Sequence, residues 1–224
     1  MSEVSSQPTN LMRLSRRFMA CLAAALFVAI GAAHAAAPQA AKLTPQDEQD
    51  MQRVQTYLNG IKTMESLFEQ VAGDGQTATG MIFLARPGNM RIVYDPPSPI
   101  LVVANSGQIH YYDQKLEQVS ETYTADTPAW FLLRDNITLN GDVTVTRFAH
   151  EPNALRLTLV ETKNPDQGEV TVVLSDHPLE LRQWTVIDAQ QKAVTVTLDN
   201  PRFGLPLSPQ LFYWTKPEAP IFGK

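Results

Sequence analysis

The sequence has little cysteine and no concentration of positive charge. One cysteine, Cys21, occurs in 224 residues, which excludes a fold that depends on disulfide bonds. Eighteen lysines and arginines stand against 23 aspartates and glutamates, for a formal charge of -5, and no basic run of useful length occurs. No nucleic-acid partner is expected, because neutralising phosphates requires a basic face. The 58 Leu, Ile, Val and Phe residues, about 26% of the chain, are enough for a packed core.

Motifs that carry catalytic or metal chemistry are also missing. The sequence contains no G-x-S-x-G elbow, no H-E-x-x-H pair and no phosphate-binding loop. His110, His150 and His177 fall in three different predicted elements, without the spacing of metal ligands. We therefore expect no enzyme, no metal and no cofactor. An esterase stays open as an alternative, and it would need a nucleophile and a base that face an apolar cavity.

The N-terminal region has the layout of an export signal. Three arginines precede a 13-residue apolar stretch over residues 18–30, and a cleavage site of small residues ends at Ala35. A membrane-spanning helix is not favoured, because it needs about 18 or more apolar residues. We expect a signal peptide over residues 1–35 that is cleaved, and a mature protein in the periplasm of a Gram-negative cell. The Arg16-Arg17 pair leaves the general secretory and the twin-arginine routes both open.

The mature chain is expected to be one domain that begins with a helix. We place a linker at residues 36–43, the domain at 44–216 and a flexible tail at 217–224. Thr44 suits a helix N-cap, Pro45 the first helical position, and Asp47 lies three residues after the cap. Apolar residues then recur with helical spacing at Met51, Val54, Leu58 and Ile61. One helix of about three turns is predicted here, with one face packed on the rest of the domain.

From Thr63 onward the pattern changes to a period of two, which is typical of strands. Pro87 and Gly88 suit the two central positions of a type II turn in a first hairpin. Later strands are expected to start 10 to 14 residues apart, near Val143, Leu155, Glu169, Leu179 and Lys192. This spacing predicts an antiparallel sheet, sandwich or barrel.

A short apolar segment interrupts the strands. It follows Thr127-Pro128 and contains Trp130, Phe131, Leu132 and Leu133. A short helix that is apolar nearly all round must be buried or must cover an apolar surface. The predicted surface consists of large side chains at alternating strand positions: Met64, Phe68, Met81, Phe83, Ile92, Tyr94, Ile109 and Tyr111. These side chains either line a cavity for a lipid-like ligand or fill one another's space, and composition alone favours the filled core.

Several short motifs follow one another in a fixed order along the mature chain. They are Phe68-x-Gln70, then Gly80-x-x-Phe83-x-x-Arg86-Pro87 with Arg91 and Tyr94 behind it, then Leu101-Val102-Val103-Ala104, Tyr111-Tyr112-Asp113, Gln118-Val119 and Thr127-Pro128. No single motif is specific. The ordered set, over about residues 44–214, resembles the LolA family of periplasmic outer-membrane lipoprotein carriers.

The resemblance implies a mainly β fold with short helices (α+β). The sheet would form an incomplete, strongly curved antiparallel β-barrel with a helical lid over an apolar cavity. Arg86 matches the family's arginine that hydrogen-bonds the lid and holds the cavity closed. A guanidinium suits this role, because its five donors form a rigid fork that can bind the carbonyls at a helix end. From the residues alone, an ordinary exposed arginine in a turn is the simpler interpretation.

The resemblance also implies a function and partners. Members of the family take acylated lipoproteins from an inner-membrane lipoprotein-releasing ABC transporter of the LolCDE type. They deliver this cargo to an outer-membrane acceptor of the LolB type, and a carrier of this kind is expected to be a monomer. Ile92 stands where the family usually has an aromatic residue. A LolA-like paralog that binds or transports another lipid or hydrophobic small molecule is therefore an alternative, as is a lipid-sensing module of the same fold.

Overall fold

The computed structural model of the protein describes residues 37–127 and 130–217. The predicted signal peptide lies outside the described residues. So do all but the first residue of the predicted tail and Pro128, which was expected to open the apolar helix. Within the described ranges, no helix combines the length and the hydrophobicity of a membrane span.

The described residues form two α-helices, eleven strands and three short 3₁₀ turns. The helices are α1 (Pro45–Gly60) and α2 (Trp130–Leu133). The strands are β1 (Thr63–Ala72), β2 (Thr77–Ala85), β3 (Asn89–Tyr94), β4 (Ile100–Asn105), β5 (Gln108–Asp113), β6 (Gln118–Tyr123), β7 (Val143–Glu151), β8 (Ala154–Glu161), β9 (Gly168–Ser175), β10 (Glu180–Asp188) and β11 (Ala193–Phe203). The 3₁₀ turns are Thr124–Asp126, Pro165–Gln167 and Pro209–Phe212.

Helix α1 begins as the sequence predicts. The hydroxyl oxygen of Thr44 accepts a hydrogen bond from the main-chain N–H of Asp47, at 3.2 Å, and the Asp47 carboxylate accepts one from the N–H of Thr44, at 2.8 Å. This reciprocal pair satisfies two N–H groups that the first turn of a helix leaves without partners. Val54 and Leu58 are buried on the predicted apolar face. The predicted helix is therefore confirmed.

All eleven strands belong to one antiparallel sheet in the order β6-β5-β4-β3-β2-β1-β11-β10-β9-β8-β7. In the described part of the chain, β6 and β7 are the two edges, so the sheet curves without closing into a barrel. The N–H of Ala41 donates to the carbonyl of Val145 at 2.9 Å, so the segment before α1 runs beside the β7 edge. The predicted fold class, an incomplete antiparallel barrel with short helices, is confirmed.

Hydrophobic clusters lie on both faces of the sheet. We call the face that packs against α1 and α2 the inner face, and it carries the main core. The opposite, outer face carries a smaller cluster of Leu101, Val103 and Tyr112, which Trp214 helps to cover. Both faces of the central strands are therefore partly covered. An apolar side chain on these strands can lie on either face.

Candidate functional site

The inner face is covered by α1, α2 and the segment that follows α2. The side-chain amide of Asn59 donates to the carbonyl of Ile137 at 2.8 Å, and its oxygen accepts from the N–H of Ile137 at 2.8 Å. One turn earlier, the side-chain oxygen of Gln55 accepts from the N–H of Leu139 at 2.9 Å. Three hydrogen bonds thus join α1 to this segment. We call α1, α2 and residues 134–139 together the lid.

Arg86 lies in the turn between β2 and β3, beneath the end of α1. Its Nε donates to the carbonyl oxygen of Ile61 at 2.7 Å, and its Nη2 donates to the carbonyl oxygens of Leu58 and Ile61. Its Nη1 reaches the carbonyl oxygen of Arg134, just after α2, at 3.5 Å. The last carbonyls of a helix have no partners within the helix and carry partial negative charge, which favours a cation at this position.

The environment of Arg86 is that of a buried cation and not of an exposed turn. The residue is 8% exposed, and burial lowers the pKa of its guanidinium, although the carboxylate of Asp135 acts in the opposite direction. The hydrogen-bond acceptors that the described residues offer it are main-chain carbonyls of the lid and of Ile61, the residue after α1. The simpler interpretation from the residues alone, an exposed arginine, is therefore wrong.

Helix α2 is attached to the same turn. The N–H of Gly88 donates to the carbonyl of Leu133 at 2.7 Å. Arg134 places its guanidinium 5.0 Å from the centre of the Trp130 ring and donates to the Asp142 carboxylate at 2.9 Å. The β2–β3 turn therefore holds both lid helices, α1 through a side chain and α2 through the main chain.

A cavity of about 30 Å³ remains between the lid and the sheet. Apart from Arg86, its walls are apolar or aromatic side chains: Leu58, Ile61, Met64, Ile82, Leu84, Met90, Leu132, Ile137, Leu181 and Trp184. Ligand pockets for drug-sized molecules usually measure about 300–1,000 Å³. The space between the lid and the sheet is consequently almost filled by side chains.

Burial alternates along the predicted lid helix. Phe131 and Leu133 are buried within the main core, while Trp130 and Leu132 are half-buried and pack against it. Leu132 also forms part of the cavity wall. The helix therefore covers the inner face, in the position that its composition predicts.

Six of the eight residues predicted to line a cavity share the inner face. Met64 lines the cavity, and Phe68, Ile92 and Ile109 belong to or pack against the main core. Tyr94 and Tyr111 lie farther from the lid and face an open groove at the other end of the inner face. Tyr111 is 44% exposed.

The prediction that Met81 and Phe83 line the cavity is wrong. In the β2–β3 hairpin Ile82 pairs with Ile92 and Gly80 pairs with Tyr94, so the odd-numbered residues of β2 point to the outer face. Ile82 and Leu84 take their place in the cavity wall. The pairing of each hairpin, and not side-chain size, decides which residues share a face.

Sequence analysis missed a polar site that fixes α1 to the sheet. Asp50, buried on α1, accepts hydrogen bonds from the side chains of Gln46 at 2.8 Å and Arg53, and lies 3.0 Å from Nε2 of His150 on β7. The bond from Gln46, followed by the bond to His150, lowers the pKa of Asp50 to about 2. Arg53 also donates to Asp176 at 3.0 Å. Local sequence carries no signal for the contacts with His150 and Asp176, which span 100 and 123 positions along the chain.

The requirements of a metal site are not met among the described residues, and His110 lies on the outer face. No group of three His, Cys, Asp or Glu residues there is placed to hold a metal ion. His110 lies beside Glu121 at 3.1 Å, and its ring stacks on Trp214 on the outer face. What the inner face offers is an apolar interior, a lid and one buried cation.

Comparison with known proteins gives consistent results. The LolA family, described as outer membrane lipoprotein carrier protein LolA, matches residues 59–215. An outer-membrane lipoprotein carrier protein of Methylococcus capsulatus is 27% identical over 186 residues, which cover 79% of this chain and 86% of that protein. An uncharacterized protein of Rickettsia prowazekii is 26% identical over 162 residues, which cover 72% of this chain and 75% of that protein.

Among solved structures, a LolA superfamily protein of Nitrosomonas europaea aligns at 8% identity with a TM-score of 0.42, over 73% of this chain and 97% of that one. The family match extends from the end of α1 to Thr215 and spans well over half of the chain, including every strand of the sheet. This chain therefore belongs to the LolA family, whose members are carrier proteins.

Proposed function

We propose that this protein is a periplasmic carrier that binds the acyl chains of lipoproteins under its lid. It would take them from an inner-membrane ABC release complex and deliver them to the outer membrane. One observation supports this beyond the family's description: a buried arginine holds the lid over an apolar interior through main-chain carbonyls. Water can replace these carbonyls as acceptors, so the lid can detach without a change of protonation.

The small size of the closed cavity requires the lid to move. A volume of about 30 Å³ is about the share of one water molecule in the liquid, far too little for an acyl chain. The closed form then corresponds to the empty carrier, in which lid side chains occupy the space of the ligand. Cargo binding and lid opening become one event, because the ligand binds only the open form.

Helix α2 is the part of the lid that we expect to move first. Asp50 fixes α1 to His150, and Tyr57 accepts a hydrogen bond from the N–H of Leu181 at 3.0 Å. The contacts of α2 with the β2–β3 turn are the Gly88 bond to Leu133 and the long bond from Arg86 to Arg134. Fewer bonds must break to displace α2 than to displace α1.

A working carrier must bind its cargo at intermediate strength. Removing each methylene group from water is worth roughly 0.8 kcal/mol, so three long acyl chains would contribute tens of kcal/mol in gross terms. Exposing Phe131 and Leu133 in the open form would cost roughly 1.5–3 kcal/mol each, in addition to the lost Arg86 bonds. These costs reduce the net affinity, and a net affinity between those of donor and acceptor permits transfer in one direction.

The remaining parts of the proposal concern location and partners. Cleavage of the signal peptide at residues 1–35 would release a monomer into the periplasm. The donor would be a transporter of the LolCDE type and the acceptor, where one exists, a protein of the LolB type. The protein would perform no covalent chemistry and need no cofactor.

The first test compares Arg86→Leu with Arg91→Leu. Arg91 is a matched control, because it is also partly buried and also donates to a main-chain carbonyl, Leu211 at 3.3 Å, but from the outer face. Each mature protein is purified from the periplasm in native conditions, its bound lipids and lipoproteins are identified by mass spectrometry, and their release to an acceptor is followed. We expect Arg86→Leu to accumulate lipoproteins and to release them more slowly, and Arg91→Leu to behave as the wild type.

Other results would contradict the role of Arg86 or favour another function. Equal release from both variants would contradict the role of Arg86 in closing the lid. Free phospholipid or another small lipid in place of lipoproteins would favour the paralog, and an empty protein would favour the filled core. Hydrolysis of a chromogenic acyl ester by the wild type would favour an esterase.

A further inference from the structure

A groove lies in the gap between the two edges of the sheet, at the end where α2 packs. It measures about 690 Å³, which is within the usual range for ligand pockets. One wall comes from the end of β6 and the 3₁₀ turn that follows it, and the opposite wall from residues just before β7 and at the end of β8. Trp130, Leu133 and Arg134 of the lid line the space between these walls. We call this space the gap groove.

Two buried polar atoms beside the gap groove have no hydrogen-bond partner among the described residues. They are Nη1 of Arg134 and the hydroxyl oxygen of Thr124, and both residues line the groove. The Nη2 atom of Arg134 donates to Asp142, and the guanidinium lies over the Trp130 ring. A buried polar atom without a partner lowers stability. A ligand in the groove that receives a small rotation of either side chain therefore replaces this cost by a hydrogen bond.

The charged side chains of the gap groove are incompletely paired. Asp142 pairs with Arg134 at 2.9 Å. Asp126, Glu161 and Lys163 also line the groove, and none of the three has an ion-pair partner in the part of the chain that the structure describes. Two unpaired carboxylates thus stand against one unpaired ammonium group. This balance favours a ligand that brings a positive charge.

An extended polypeptide fits these groups better than a lipid does. Its carbonyls can accept from Arg134, its N–H groups can donate to carboxylates or to the Thr124 hydroxyl, and an acyl chain offers neither. A lipid phosphate would meet three carboxylates and two cations. The position also suits a polypeptide. In the described ranges the sheet is open between β6 and β7, so a chain attached to acyl groups under the lid can leave beside α2 without breaking a strand pairing.

We infer that the gap groove binds the polypeptide of the cargo, over the few residues that follow its acylated end, and that it favours a lysine or arginine among them. The inference rests on the proposed carrier function and assigns a site to the part of the cargo outside the lid. Arg134 and Thr124 bind main-chain groups, and Glu161 and Asp126 attract the cation. Main-chain contacts suit a carrier of many cargo sequences, because every residue except proline offers the same two groups.

The test uses three probes with identical acyl chains. The first is a dipalmitoylglyceryl-cysteine amide without further residues. The second carries five further residues, all serine except for a central lysine, and in the third this lysine is replaced by glutamine. Binding to the mature protein is measured by displacement of a fluorescent fatty acid, and circular dichroism checks that each variant is folded. The ratio of the affinities for a long probe and the short probe isolates the contribution of the peptide, because changes in the lid act on both.

Three substitutions alter the gap groove, and one is a matched control. The three are Glu161→Gln, Arg134→Gln and Thr124→Val. The control is Glu169→Gln, because Glu169 is also half-buried and also lacks an ion-pair partner among the described residues, but lies on the outer face, where it pairs with Val160. Glu161→Gln keeps the test decisive even if Arg134→Gln does not fold, since the Glu161 carboxylate forms no bond within the described residues.

We expect the lysine probe to bind the wild type about twofold to tenfold more tightly than the short probe, which is the usual gain from one hydrogen bond. Arg134→Gln should remove most of this gain. Glu161→Gln should abolish the preference for lysine over glutamine, which should be about twofold at low salt and smaller at high salt, because salt screens exposed charges. Glu169→Gln should match the wild type in every ratio.

Thr124→Val gives a result that a merely structural residue would not give. Removal of a buried hydroxyl without a partner should raise the urea midpoint of the empty protein. The same substitution should reduce the contribution of the peptide to binding about twofold or more. A lower midpoint together with an unchanged contribution of the peptide would make Thr124 a structural residue and would count against the inference.

A photoreactive probe locates the peptide directly. A benzophenone side chain in place of the central lysine should crosslink to residues 123–126 or 161–163, identified by mass spectrometry. Crosslinks confined to the other end of the inner face would overturn the inference, although the carrier proposal would stand. If the wild type binds all three probes equally and no variant changes the ratios, the groove has no part in recognition. If it binds none of them, the carrier proposal fails and the inference fails with it.

Discussion

The sheet has a cover on each face, and an arginine holds each cover by a hydrogen bond to a main-chain carbonyl. Arg86 donates to the carbonyls at the end of α1 and just after α2. Arg91, on β3, donates to the carbonyl of Leu211, in the 3₁₀ turn that covers the outer face. Burial lowers the pKa of both guanidinium groups. The bond by itself therefore does not identify a lid.

What the two covers leave beneath them is different. On the outer face, the Trp214 ring stacks on His110 at 5.0 Å between ring centres and inclines toward Tyr112 at 6.0 Å. The cover there rests directly on the strands. On the inner face, two helices span a cavity, and one of them, α2, is joined to the β2–β3 turn by the main-chain bond from Gly88 to Leu133. Among the described residues only the inner cover has space beneath it, and this space, and not the number of bonds, distinguishes it from the outer cover.

The largest expected effect on stability comes from replacing the buried phenylalanine of each cover by alanine. Phe131 in α2 is fully buried, and Phe212 in the outer cover is 2% exposed. Replacing either by alanine should lower the free energy of unfolding by about 3–5 kcal/mol, measured by urea titration, because each leaves a cavity. Only Phe131→Ala should also increase the binding of an acyl probe, since it makes room under the lid and loosens α2. An equal increase with Phe212→Ala would show that binding follows general loosening.

A second substitution concerns how firmly the inner cover is anchored at its other end. Asp50 has an ordinary pKa of 3.8 and a folded-state pKa of about 2. A lowered folded-state pKa stabilises the fold above the unfolded value, and this contribution is lost as the pH falls through the folded value. Asp50→Asn should therefore cost about 2 kcal/mol at pH 7, and the difference from the wild type should vanish between about pH 4 and pH 2.

The control for this substitution is Asp166→Asn, at an exposed carboxylate. Urea titrations across that pH range should give the same free energy of unfolding for Asp166→Asn as for the wild type. If Asp50→Asn loses stability equally at all pH values, the cost comes from packing and not from the carboxylate. If its acyl binding is unchanged, opening does not depend on the anchor of α1 to β7, in agreement with our expectation that α2 moves first.

Local chemistry made part of this architecture predictable. The capping box at Thr44 and Asp47 acts over three residues, so the start of α1 can be predicted from the local sequence alone. Nine of the ten strand pairings join consecutive strands, but the pairing of β1 with β11 and the contact between Asp50 and His150 join residues far apart in the chain, for which a single sequence holds no local signal. The bonds from Arg86 to carbonyls at a helix end were expected only from the family resemblance.

The wrong assignment of Met81 and Phe83 has a physical cause in the two covers. A strand with one wet face alternates apolar and polar residues, but residues 81–84 of β2 are all apolar. Both faces of the central strands are at least half-covered, so composition does not mark the inner side. The pairing of Ile82 with Ile92 in the hairpin does identify the inner side, because a residue and its cross-strand partner share a face.

The smallest expected effect comes from substitutions that test the bond between the β2–β3 turn and α2. Gly88 has a φ of 77° and Gly75, in the β1–β2 turn, a φ of 84°, and an added Cβ at either position would meet open space. Alanine at either position should cost about 1–2 kcal/mol, from backbone strain alone. Only the N–H of Gly88 donates to the lid, at the carbonyl of Leu133. Strain in the β2–β3 turn should shift this N–H relative to its acceptor, so stopped-flow uptake of an acyl probe should be faster for Gly88→Ala than for Gly75→Ala at equal loss of stability. If the two variants take up the probe at the same rate, the bond from Gly88 to Leu133 does not limit opening, and Arg86 must account for the closure of the lid.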